Sequence, residues 1–154
     1  MASDRDCRVV VGVDGSAASI AALRWAAQAA TERDVPLCVV GVDPDVHDST
    51  GPYLWQQSRP EDRLAALHDT LAVAVTTALG PEPDIKVSQQ VEPGRPGEVL
   101  ARVADKADLL VLGSRRVDAD EPLRPVLRAC IQLATCPVVV VADGADRQAR
   151  PVTT

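Results

Sequence analysis

The chain has no phenylalanine, no asparagine, two lysines and only three aromatic side chains in 154 residues. So few aromatics withdraw the stacking platform on which single-stranded nucleic acids are held, and a formal net charge of −6 opposes a phosphate backbone. Nucleic acid is therefore not an expected partner. No run approaches the roughly 20 apolar residues of a membrane span, and the opening MASDRDCRVVVG has no signal-length apolar stretch behind a basic region. The expectation is a cytoplasmic protein with no membrane partner. Four cysteines, Cys7, Cys38, Cys130 and Cys136, include no C-x-x-C pair, which argues against a zinc site and for reduced, buried thiols. Catalytic signatures are missing as well: there is no G-x-S-x-G elbow, Walker loop, H-E-x-x-H or acidic metal loop. His68 is read as bordering a helix's packed face and His47 as a solvated residue of an acidic loop, neither as a base.

What is present is one ordinary globular domain, with 46% hydrophobic and 25% charged residues in a length that buries a good core. Residues 8–13 form an apolar run ending at Asp14-Gly15-Ser16, and Ser16 is a plausible N-cap for a helix to about Arg33, with Ile20, Leu23, Ala27 and Ala30 on one face. A second buried strand covers Leu37 to Val42. After a long loop carrying Tyr53 and Trp55, Pro60 opens a helix with Glu61 and Asp62 in its first turn and Leu64, Leu67, Leu71 and Val75 as its buried stripe. Ile85, Val87, Gln89 and Val91 alternate with polar residues as in a half-exposed edge strand. A helix from about Gly97 to Lys106, a strand from Asp108 to Gly113, a helix from about Val126 to Ala134 and a strand from Pro137 to Val141 complete the alternation. Five strands, each joined to the next through a helix, predict an α/β fold with a doubly wound parallel sheet. The polar tail, 143–154, is expected to fray.

The fourth strand reads LLVLGSRR. Gly113 and Ser114 follow an apolar run that suits a buried strand delivering its end to a ligand crevice, but the next glycine after Gly113 is Gly144. A loop that wraps phosphates closely needs residues without a β-carbon, so that backbone N–H groups reach the oxygens. Gly113 itself is read as a required turn conformation. Arg115 and Arg116 follow it, with Arg124 and Arg128 nearby in sequence, and guanidinium groups bind phosphate without glycine. Asp118, Asp120 and Glu121 lie among them and offer local pairing instead. A salt-bridged loop and an anion site both stay open, and Arg95 in its Gly-Arg-Pro-Gly turn suits either.

The segments VVVGVDGSAASIAALRWAAQAA, PLCVVGV, PGEVLARVADKADLLVLGS and CPVVVVAD, in that order, resemble a universal stress protein domain over about residues 7–142. The resemblance implies an open five-stranded sheet of order 3-2-1-4-5, with nucleotide-binding members holding ATP where the first and fourth strands part. It implies that Asp14 and Val42 match positions contacting ribose and adenine, and that Trp25 repeats a first-helix packing position. The family's fourth-strand loop reads G-x-x-G, nine residues, then G followed by Ser or Thr. Here Arg116 stands at the second glycine, and the final pair falls on Val126 and Leu127 or, counted back from Cys136-Pro137, on Arg124 and Pro125. Neither register restores the motif, and Pro125 has no N–H to offer a phosphate.

The leading expectation is a non-enzymatic stress-response interaction module without a bound cofactor, ATP least of all. The alternative is a sensor of an adenine nucleotide or other phosphorylated ligand held by Asp14, Val42, Gly113, Ser114, Arg115 and Arg116. An ATP-hydrolysing enzyme ranks last, since nothing visible holds Mg²⁺ and a γ-phosphate. In a 3-2-1-4-5 sheet the fifth strand is an edge, and Val138, Val139, Val140 and Val141 are apolar on both faces. With the resemblance, that edge predicts a homodimer centred on those four residues, besides a protein partner that the sequence does not name.

Overall fold

The computed structural model describes residues 8–44, 59–115 and 124–142. Five strands alternate with four helices: β1 (Val9–Gly12), α1 (Ala17–Arg33), β2 (Leu37–Asp43), α2 (Pro60–Leu79), β3 (Val87–Pro93), α3 (Pro96–Val103), β4 (Leu109–Ser114), α4 (Pro125–Leu133) and β5 (Val138–Ala142). All strand pairs are parallel and the sheet order is β3-β2-β1-β4-β5. This is the expected doubly wound sheet. Right-handed crossovers then put α1 and α2 on one face and α3 and α4 on the other.

Both faces are apolar because β1, β2 and β4 are buried on both sides, the pattern of a covered parallel sheet. Val9, Val11, Leu37, Val39 and Val111 pack under α1 and α2, while Val10, Cys38, Val40, Leu110 and Leu112 pack under α3 and α4. Helix α1 offers mostly alanine to the sheet: Ala21, Ala22, Ala26, Ala29 and Ala30 are buried around Leu23. Alanine keeps helix propensity high and lets the helix axis approach closely. Trp25, one turn after Ala21 and one turn before Ala29, is 39% exposed.

Several boundaries differ from expectation for local reasons. Helix α3 stops at Val103 instead of running to Lys106: Ala104 and Ala107 are buried, and tight turns with Lys106 at φ 69 carry the chain straight into β4. In α2, Leu71 and Val75 are buried as expected, but Leu64 and Leu67 are only half-buried. The sheet gives out beneath the first turns of α2. Leu71 lies over Gly41 of β2, and Arg63, two turns earlier, meets Asp43, the last residue of that strand. Strand β3 runs from Val87 through Pro93, with Ser88 and Gln89 exposed on the polar edge.

Candidate functional site

The central strand is the shortest. β1 ends at Gly12, whereas its neighbours β2 and β4 continue to Asp43 and Ser114. Val13 N–H still donates to Val40 C=O at 2.9 Å, and beyond that point the sheet opens into a notch. With neighbouring strands about 4.8 Å apart, β2 and β4 stand about 10 Å from each other across it.

Hydrogen-bond alternation determines which main-chain groups face the notch. In β2, Leu37 N–H donates to Lys86 C=O and Asp43 C=O accepts from Gly94 N–H, both at 2.9 Å, so odd-numbered residues bond toward β3. Even-numbered residues bond toward β1, as Val40 does. Val42 therefore turns its N–H and C=O toward β1, past that strand's last bond. In β4, Leu109 N–H donates to Arg8 C=O at 3.3 Å and Leu110 N–H to Pro137 C=O at 3.0 Å. Odd residues of β4 thus bond toward β1, and Gly113 presents its main chain to the notch from the other side.

The floor is the turn from β1 into α1. Gly15 takes φ +87, a left-handed conformation that suits glycine, and Asp14 Oδ1 accepts Ser16 N–H at 2.9 Å. Ser16 is the N-cap, as expected: its Oγ accepts Ser19 N–H at 3.2 Å, and the Ser19 hydroxyl donates to Ser16 C=O at 2.9 Å. Partial burial raises the Asp14 pKa, but hydrogen bonds from Ser16 and Ser19 outweigh it and leave the carboxyl below the usual carboxylate value. Asp14 thus places a fixed negative charge at the α1 N-terminus, where the helix dipole favours it.

Gly113 has a different role from the one expected. It lies within β4, paired with Val141, and its φ is not among the positive values. A β-carbon at this position would run into the carbonyl of Ala18 and stand 2.8 Å from Ser19 N. The glycine is required by the close seat of α1 on β4, not by a turn. Ser114 donates its hydroxyl to Arg115 C=O at 3.1 Å. Arg115, Arg124 and Arg128 are exposed, and Arg95 pairs across 3.8 Å with Glu98, one turn along in α3. Arg116 and the acidic residues 118, 120 and 121 lie outside the described residues, as do His47, Tyr53, Trp55 and Cys7.

One pair at this end of the sheet has no counterpart in the sequence reading. Arg63 Nε donates to both carboxylate oxygens of Asp43, each at 3.2 Å, and both side chains are 5% exposed. The signal was present: Arg63 stands four and eight residues before Leu67 and Leu71, on the apolar stripe where a solvated arginine does not belong.

Elsewhere the chemistry is quiet. His68 is exposed, three residues before buried Leu71 at the margin of the packed face. Cys38 donates to Gln90 Oε1 at 3.2 Å, and burial pushes the Cys130 thiol up to about 11. Cys136 is half-buried, its pKa raised by burial and by Asp105 and Asp108. A groove of about 410 Å³ between α1 and α2, lined among others by Ile20, Asp69, Thr70 and Val73, shares only Gly15 with the notch. Among the described residues no three His, Cys, Asp or Glu side chains converge as metal ligands, and no helix is long and apolar enough to cross a membrane. On β5, Val141 is buried, Val138 and Val139 are half-buried, and Val140 is 41% exposed.

The notch can be compared with known proteins. The universal stress protein Rv3134c of Mycobacterium tuberculosis is 34% identical over 157 residues, covering 100% of this chain and 54% of its own length. The universal stress protein Rv2028c of the same organism is 29% identical over 136 residues, covering 86% of this chain and 47% of its own. The chain thus spans about half the length of these relatives. Among solved structures, the universal stress protein from Archaeoglobus fulgidus in complex with dAMP superposes with a TM-score of 0.65 at 25% identity, covering 88% of this chain and 97% of that one. A universal stress protein in complex with cAMP gives 0.55 at 24% identity, covering 88% and 95%. A model of the universal stress protein family matches residues 7–142, and with the sheet order and the short central strand already described, the chain belongs to that family.

Proposed function

We propose that this chain is a non-enzymatic, cytoplasmic binding module of the stress response whose notch takes an adenine nucleoside monophosphate, linear or cyclic, in preference to ATP. The observation that carries the reading is the main chain of Val42. Its N–H and C=O point past the end of β1, a donor and acceptor side by side that match the ring nitrogen and exocyclic amino group of adenine. Asp14 then lies where a ribose hydroxyl would reach its carboxylate. The dAMP complex of the Archaeoglobus fulgidus protein lends support at 25% identity.

ATP is disfavoured by the other wall. Past Gly113 the loop has no glycine until Gly144, and α4 begins with Pro125, so the first helical residue offers a phosphate no N–H. The exposed Arg115 is left as a contact for a single phosphate. Calorimetry with AMP, cAMP and ATP tests this. The expected result is AMP or cAMP bound tighter than ATP, with ATP no tighter than about 100 μM, roughly −5.5 kcal/mol. Micromolar ATP affinity, or ATP carried through purification, overturns the reading.

The assembly proposed with it is a homodimer through β5. Leu110 N–H donates to Pro137 C=O, so odd residues of β5 bond inward, and Val138, Val140 and Ala142 turn their N–H and C=O groups outward along the edge. With Val140 exposed beside them, that edge suits pairing with a second copy.

A further inference from the structure

We infer that the buried Asp43–Arg63 pair is the specificity device of the notch: it holds the Val42 carbonyl in the orientation that accepts a 6-amino base and refuses a 6-oxo base. The inference rests on the nucleotide reading above and deepens it. Val42 C=O and Asp43 N–H belong to one planar peptide unit, in which the two groups point in opposite directions. Asp43 N–H lies in the β2–β3 ladder, opposite Pro93, so the Val42 carbonyl is thrown to the other side, into the notch. Whatever fixes Asp43 therefore fixes that carbonyl.

Asp43 is fixed from three directions. Its N–H enters the ladder, its C=O accepts Gly94 N–H at 2.9 Å, and its carboxylate is held through both oxygens by Arg63 Nε at 3.2 Å. The first two are the last bonds of a strand, where a ladder frays most readily. The third comes from α2, a helix seated on the sheet through Leu71, Ala74 and Val75, and it ties the strand end to a rigid body. A buried ion pair gains little net stability over apolar side chains of similar size, and its best-attested use is to specify one arrangement against others. Here the alternative is a rotated Val42–Asp43 peptide. Against adenine, Val42 offers the C=O of the fixed peptide to the amino group and its own N–H, from the preceding peptide unit, to N1. Against hypoxanthine both contacts become mismatches, carbonyl against carbonyl and N–H against N–H.

Asp43 and Arg63 are positioning residues on this account, and neither touches the base. The test is equilibrium dialysis of the folded chain with AMP and with inosine monophosphate, in wild type and in a double variant, Asp43→Leu with Arg63→Met, which replaces the pair by apolar groups. Circular dichroism and urea melts follow the fold. Wild type is expected to prefer AMP by at least about ten-fold, and the double variant to bind the two within about two-fold of each other, with binding of ribose 5-phosphate unchanged. A folded double variant that keeps the wild-type preference overturns the inference. Should that variant fail to fold, Arg63→Lys carries the test: a point donor releases the carboxylate's orientation, preference is expected to fall to about three-fold, and an unchanged preference overturns the inference equally. A wild-type chain that binds neither nucleotide overturns the reading of the notch, and the inference with it. One that binds both equally leaves that reading standing and removes the inference alone.

Discussion

The carbonyl of Ala18 stands where a β-carbon on Gly113 would have to be. Helix α1 thus starts in direct backbone contact with β4, and the first glycine of the fourth-strand loop serves helix packing. Gly113→Ala is expected to destabilise the fold by about 1–3 kcal/mol, because the colliding atoms belong to a helix backbone that has no rotamer to move. Urea unfolding measures it, with the midpoint lowered and the slope unchanged. Full stability in the alanine variant would mean that α1 is not seated so closely.

Asp14 offers a test by pH. Its pKa is held below the ordinary 3.8 in the folded chain, so the unfolded chain takes up its proton first as pH falls. The carboxylate's contribution is complete above about pH 4 and is lost as pH drops through the folded value. Asp14→Asn is expected to be less stable than wild type at pH 7, by up to about 1 kcal/mol for an exposed group at a helix start. That gap should close toward pH 2. A gap of the same size at pH 7 and pH 2 would show that the charge contributes nothing.

Assembly can be tested at one residue. Val139 and Val141 pack toward α1, so a lysine at either would damage the core, whereas Val140 is exposed at the edge. Wild type is expected to scatter light as about twice the 16.3 kDa chain mass at micromolar concentration, and Val140→Lys as a single chain with an unchanged circular dichroism spectrum. A monomeric wild type refutes the dimer.

The sheet was legible in the sequence because parallel strands buried on both faces are unbroken apolar runs, as in Val9–Gly12 and Leu37 to Val42, and the turn glycines and prolines punctuate them. The end of α3 was not: ARVADK continues a helical pattern, and only the burial of Ala104 and Ala107 against other elements decides that the chain must turn. The glycine at 113 was visible, but its reason lies in Ala18, ninety-five positions away. Arg63 drew no expectation at all. Its place on the apolar stripe marks it as buried, but its partner sits twenty residues earlier at what reads as the start of a loop, so the pairing has no local signal.

The shortness of β1 has one further consequence. Its neighbours outrun it, so the groups that line the opening are peptide N–H and C=O, which no replacement at Val42 short of proline can delete. A surface built that way is inherited with strand length and register. It can persist while the residues along it drift, and a comparison of side chains alone will undercount the proteins that share it.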